Sequence, residues 1–155
     1  MPRLYGRAPR GERVVGTVPQ HSGAHVTRLA ALGSHGVEAV MTSDGATDAE
    51  VFRVDVAQVR RPTRRPGDLV RMDNQRAHQA AGIREAIEQA GAQVVYWPPY
   101  SPDVSPIAPC WAKLKTALRT AKARTREALE HASAQALATI TVADAHSWFH
   151  HCADA

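Results

Sequence analysis

The run from Leu69 to Trp97 constrains the fold more than any other part of the chain. Leu69, Val70 and Met72 follow a Pro66-Gly67 turn and read as a short buried strand. Ile83, Ala86, Ile87 and Ala90 recur at helical spacing, and Gly91 ends that helix. Val94, Val95, Tyr96 and Trp97 make a second strand, stopped by Pro98-Pro99. A strand, a helix and a strand of these lengths form a βαβ unit, so the two strands are predicted to be parallel. Asp73 stands immediately past the first strand. In α/β sheets that is where chemistry is usually placed.

The rest of the chain fits one globular domain spanning residues 1–155. At 155 residues, 44% of them hydrophobic and 22% charged, it can bury a core. No apolar run approaches the ~20 residues that cross a membrane. The arginine-rich start carries no hydrophobic segment, so no secretory signal is predicted. Cys110 and Cys152 form no CxxC pair and read as reduced thiols, which makes the cytoplasm the expected compartment. A formal charge of +4 and a pI near 9.5 are compatible with a polyanionic partner.

Residues 1–13 are basic and turn-rich, and Gly6, Pro9 and Gly11 argue against a helix there. Arg3, Arg7, Arg10 and Arg13 read equally well as a solvated loop or as phosphate contacts. Val14, Val15 and Val18 outline a short strand within 13–19. Val26 to Leu32 and Val37 to Thr42 are better strands, and the Gly33-Ser34-His35-Gly36 link makes them an antiparallel hairpin. Thr47 reads as an N-cap. With Asp48 and Glu50 in the first turn, it predicts a helix over 48–60 that carries Val51, Phe52, Val54, Val56 and Val59. Asp44, Asp48 and Asp55 read as turn, cap or surface residues. The run from Arg60 to Pro66 reads as a solvated basic linker, with phosphate contact as the alternative.

A further helix is predicted from Ala108 to about Ala121, with Pro109 tolerated in its first turn. Trp111, Leu114 and Leu118 share one face of it. Between residues 101 and 126 six basic residues stand against one acidic residue, Asp103. That imbalance reads as an ordinary soluble helix surface or as a cradle for a DNA backbone, and the second is favoured because the helix borders the stretch that carries Asp73. Thr125 caps a helix reaching about Ile140, with Leu129, Ala132, Ala136 and Leu137 facing inward. A last helix begins at Thr141 or Val142, and Trp148 and Phe149 are expected to pack it against the domain. His146, His150, His151 and Cys152 have a metal-like spacing but no partner loop, so they read as surface residues. Residues 122–155 are thus a helical extension of the domain.

Several motifs in order resemble a known family: Asp73-Asn74, His78, Pro98-Pro99-Tyr100-Ser101-Pro102-Asp103, Pro106-Ile107 and Trp111-Ala112-Lys113-Leu114-Lys115. Together they resemble the catalytic core of DDE transposases, closest to the mariner-like bacterial insertion-sequence group. The resemblance implies an α/β, ribonuclease-H-like mixed sheet flanked by helices. It places the hairpin near 25–42 beside the parallel pair, with the family's first catalytic strand between them. The start of the chain resembles the loop that follows that strand. The strand and its Asp are therefore expected to be missing, which leaves two strand edges unpaired or partly filled by residues 13–19.

The family's reaction is metal-dependent DNA cleavage and strand transfer in transposition. Two Mg²⁺ ions about 3.5–4 Å apart clamp the attacking and leaving oxygens, and several carboxylates must converge to hold them. By resemblance Asp73 is the second acid and a metal ligand. At the family's spacing the third acid falls on Ala108, and Ser105 stands where the family has Asn before Pro-Ile. Asn74 and His78 match supporting positions. Asp103 is near in sequence, in a loop held by Pro102 and Pro106. DNA contact is implied for Arg7, Arg10, Lys113, Lys115 and Arg119. The expectation is a transposase catalytic-domain fragment without activity, binding Mg²⁺ weakly or not at all. Its expected partners are DNA and either a second copy or a full-length transposase. The alternative is a non-catalytic module that binds DNA or a transposase.

Overall fold

The Gly33–Gly36 link folds the chain back on itself. In the computed structural model, which describes residues 6–15, 25–98, 101 and 104–153, β1 (Val26–Gly33) pairs antiparallel with β2 (Gly36–Asp44). Gly36 turns the corner at φ +118°, a conformation that residues with a Cβ rarely adopt. The short strand expected within 13–19 is not formed at 13–15, where Val14 and Val15 are exposed. Residues 16–19 lie outside the described residues.

Asp48, not Thr47, caps the next helix, α1 (Ala49–Val54), and its carboxylate accepts from the Val51 amide at 2.9 Å. An acid there satisfies an orphan donor and complements the helix dipole. The helix expected over 48–60 is α only as far as Val54. It then widens into a π-helical turn over Asp55–Arg60 and tightens into a 3₁₀ turn over Arg61–Thr63. Valine-rich sequence supports an α-helix weakly, and the wider turn brings residues five apart onto one face. Asp55 and Arg60 use that geometry to form an ion pair, with Asp55 1% exposed. Asp55 is therefore not a surface residue.

The βαβ unit forms as predicted. β3 (Leu69–Met72) and β4 (Gln93–Tyr96) are parallel, joined through α2 (Ile83–Glu88), and Met72 stands opposite Tyr96. Met72 and Val94 pack with Phe52, Val56, Ile83 and Ile87 in one apolar cluster. The other face differs from the expectation of a buried strand: Leu69 is 48% exposed and Val95 42% exposed. Among the described residues β1 pairs with β2 alone and β3 with β4 alone, so the sheet exists as two separate halves.

Three helices complete the structure: α3 (Ile107–Ala121), α4 (Arg126–Ala138) and α5 (Val142–Ala153). Thr125 caps α4 as expected, accepting from the Ala128 amide at 3.1 Å. Thr141 and Asp144 form a reciprocal capping box on α5: the Asp144 carboxylate accepts from the Thr141 amide, and the Thr141 hydroxyl accepts from the Asp144 amide. α3 packs on α4, and α5 touches α3 and β2. Trp148 and Phe149 are half-buried, and His146, His150 and His151 are exposed. Among the described residues, no helix is long and apolar enough to cross a membrane.

Candidate active site

The parallel ladder ends where the Trp97 amide donates to the Met72 carbonyl at 2.8 Å. Asp73 is the first residue beyond it. Its side chain is 51% exposed. Asp73 Oδ1 accepts from the Gln75 amide at 3.0 Å, a local Asx turn that swings the chain away from the sheet. His78 Nδ1 lies 2.6 Å from the same oxygen. His78 is itself held from two sides. Its ring packs on Phe52 with centroids 4.4 Å apart, and its carbonyl accepts from the Tyr96 hydroxyl at 3.0 Å.

Asn74 ties the two strand ends together. Its amide donates to the Trp97 carbonyl, and its Oδ1 accepts from Gln79 Nε2 at 2.9 Å. The Asp73 carboxylate is thus oriented through Oδ1, while Oδ2 takes no hydrogen bond among the described residues. A carboxylate so placed can accept a proton or contribute one ligand to a hard cation.

Ala108 is the second residue of α3 and is exposed, its amide donating to the Ser105 carbonyl at 3.0 Å. Met72 and Trp97 line one cavity together with Ser105 and Ile107, so the end of β3 and the start of α3 border the same space. Asp103 lies outside the described residues. Among the described residues no group of three or more His, Cys, Asp or Glu side chains converges. The donor set among the described residues does not fit a two-cation centre, which needs several converging carboxylates.

The basic residues divide into two groups. Arg7, Arg10 and Lys115 are exposed, and Arg119 is half-buried. Lys113, expected at a DNA surface, is instead committed internally: its ammonium donates to Asp144 Oδ2 at 2.7 Å and to the Thr139 carbonyl at 3.0 Å. Asp144 is held down to about 2, first by that hydrogen bond from Lys113 and then by bonds from Thr141. Nor is the Arg60–Pro66 run simply solvated. Arg60 pairs with Asp55 and donates to the Ala30 carbonyl, and Arg64 pairs with Glu38.

Gln75, Gln79, Phe52 and Tyr96, which support Asp73 and its neighbours, are absent from the sequence-based site. Tyr96 was reachable, because parallel pairing of the two strands brings it level with Met72. Phe52 and Gln79 carry no local signal. Arg71, whose guanidinium lies 5.0 Å from the Trp97 ring centroid, also carries none.

The family profile described as DDE superfamily endonuclease matches residues 1–130. The chain belongs to that family. Its fold is similar to solved structures of Mos1. The strand transfer complex superposes with a TM-score of 0.78 at 17% identity, covering 99% of this chain and 47% of that one. The pre-cleavage transpososome gives 0.75 at 16% identity, covering 99% and 48%. The paired end complex with Mn gives 0.73 at 18% identity, covering 96% and 47%. This DDE-family chain therefore has the mixed α/β, ribonuclease-H-like fold, and it spans about half the length of the solved relatives it matches. No curated protein sequence matches it.

Proposed function

We propose that the chain is catalytic-domain material of a DDE transposase, of the mariner-like bacterial insertion-sequence type, in a form that binds DNA without cleaving it. The observation that carries this reading is the single oriented carboxylate. Asp73 stands at the C-terminal end of β3, fixed by Gln75 and His78, while the start of α3 presents Ala108. The solved relatives, captured as a strand transfer complex, a transpososome and paired end complexes, support DNA as the partner. A second copy or a full-length transposase is the protein partner we propose. Cys110 and Cys152 form no disulfide among the described residues, which suits a reducing cytoplasm.

In this reading Asp73 keeps the family's second acidic position. One of the relatives is described with Mn, which makes a divalent cation, Mg²⁺ or Mn²⁺, the cofactor class of the family. Divalent metals supply charge stabilisation at the transferring phosphate in such chemistry. One carboxylate leaves that support incomplete here. Asn74, Gln79 and Tyr96 still hold the ends of β3 and β4 together. Arg7, Arg10, Lys115 and Arg119 offer positive charge to a phosphate backbone.

Nicking of supercoiled plasmid in Mg²⁺ or Mn²⁺ tests the idle-site reading. No nicking above background is expected from the chain or from Ala108→Glu, which still lacks a further converging acid. Robust nicking that disappears in Asp73→Ala would show an active endonuclease instead. Fluorescence anisotropy with duplex DNA tests the binding reading. Affinity should fall steeply with salt, and absence of binding at low salt would remove DNA from the account.

A further inference from the structure

α5 is anchored at its start and along one side. Lys113 and Thr141 hold Asp144 in its first turn, Ala145 is fully buried and Phe149 is half-buried. On the solvent side His146 and His150 are both exposed. Residues four apart on a helix are neighbours, with Cβ atoms about 5–6 Å apart. The helix continues past both, to Ala153, so the two imidazoles project from regular backbone. Val142–Ala153 contains no Lys or Arg that would repel a cation. His150 also lies in the last turn, where the helix dipole favours positive charge.

We infer that His146 and His150 together chelate one borderline divalent cation, of the Zn²⁺, Ni²⁺ or Cu²⁺ class. Imidazole nitrogen suits these ions, whereas carboxylate oxygen suits Mg²⁺ and Mn²⁺. Two histidines four apart on one helical face can reach the same ion from adjacent turns. Each ring ligates through one nitrogen, and its other nitrogen serves a hydrogen bond that fixes the ring. Among the described residues no third His, Cys, Asp or Glu converges with the pair, so water completes the coordination. The site is therefore open, unlike a closed four-ligand structural zinc centre. It uses none of the residues around Asp73, and it holds or fails independently of DNA binding.

The test uses the full chain without an affinity tag, titrated with Ni²⁺ by calorimetry and loaded with one equivalent of Cu²⁺ for electron paramagnetic resonance. One Ni²⁺ site per chain, tighter than any other, is expected. His146→Ala and His150→Ala should each weaken it on the order of tenfold or more, because a single imidazole lacks the advantage of two linked ligands. Alanine favours the helix, so both variants should keep α5, as read by circular dichroism. Nitrogen modulation of the Cu²⁺ signal should report two imidazoles in the parent chain and one in either variant. His151→Ala, one position further round the helix, should leave the Ni²⁺ affinity unchanged, as should Asp73→Ala or a large excess of Mg²⁺. No Ni²⁺ binding, undiminished binding in His146→Ala or His150→Ala, a single coordinated imidazole in the parent chain, or loss of the site with His151→Ala or Asp73→Ala overturns the inference.

Discussion

At the residue scale, the largest energetic consequence belongs to Asp55 and Arg60. Asp55 is 1% exposed and Arg60 caps it, lies over the Phe52 ring with its guanidinium carbon 5.3 Å from the centroid, and donates to Ala30. Removing one partner of a buried pair strands the other charge, so Arg60→Ala should cost about 3–5 kcal/mol in urea denaturation. The double change Asp55→Leu with Arg60→Met should cost much less, because it leaves no buried charge. Lys113 and Asp144 make a pH-dependent case. The folded Asp144 carboxyl is depressed from 3.8 to about 2. A depressed acid contributes stability that is complete above its unfolded value and is lost as pH falls through the folded one. The stability difference between the parent and Asp144→Asn should therefore be level at neutral pH and shrink between 3.8 and about 2, read by acid-dependent denaturation.

At the element scale, the βαβ unit depends on how α2 ends. Gly91 takes φ +81°, and a Cβ there would lie 3.1 Å from the Pro66 Cα, so the turn before β3 presses on the turn after α2. The Gly67 amide donates to the Gly91 carbonyl at 2.9 Å across the same contact. Gly91→Ala meets both the left-handed penalty of about 1–2 kcal/mol and the crowding, so it should lower the melting temperature clearly. Gly11→Ala is the comparison. Its φ of +90° carries the same left-handed penalty, but nothing lies within 4 Å of the added atom, so it should lower the melting temperature less than Gly91→Ala does.

At the scale of the whole molecule, the question is which positive charges face outward together. Lys115 and Arg119 lie on α3, while Lys113 on the same helix is turned to α5. If each of the outward pair contacts a phosphate, Lys115→Gln with Arg119→Gln should flatten the dependence of log affinity on log salt by about 0.9 per lost contact on duplex DNA. The loss should be similar for every DNA sequence, because backbone contacts carry no base information. Lys113→Gln should leave that slope unchanged and instead lower thermal stability through α5. An equal loss of slope with Lys113→Gln would place its ammonium on DNA after all.

The sequence by itself determined the local structure: the hairpin around Gly33–Gly36, the parallel unit from 69 to 96, the Thr125 cap and the position of Asp73 at a strand end. Those features depend on periodicity, turn residues and caps, which are written within a few residues of one another. Long-range structure decided the rest. Whether Lys113 reaches DNA or Asp144, and whether Asp55 is a surface acid or half of a buried pair, depends on partners supplied by other turns and helices. The π-helical turn lies in the same class, because valine content weakens an α-helix without saying what replaces it. Leu69 is half-exposed for a related reason. An apolar pattern shows that a strand seeks cover, but only packing decides whether a neighbour is there to provide it.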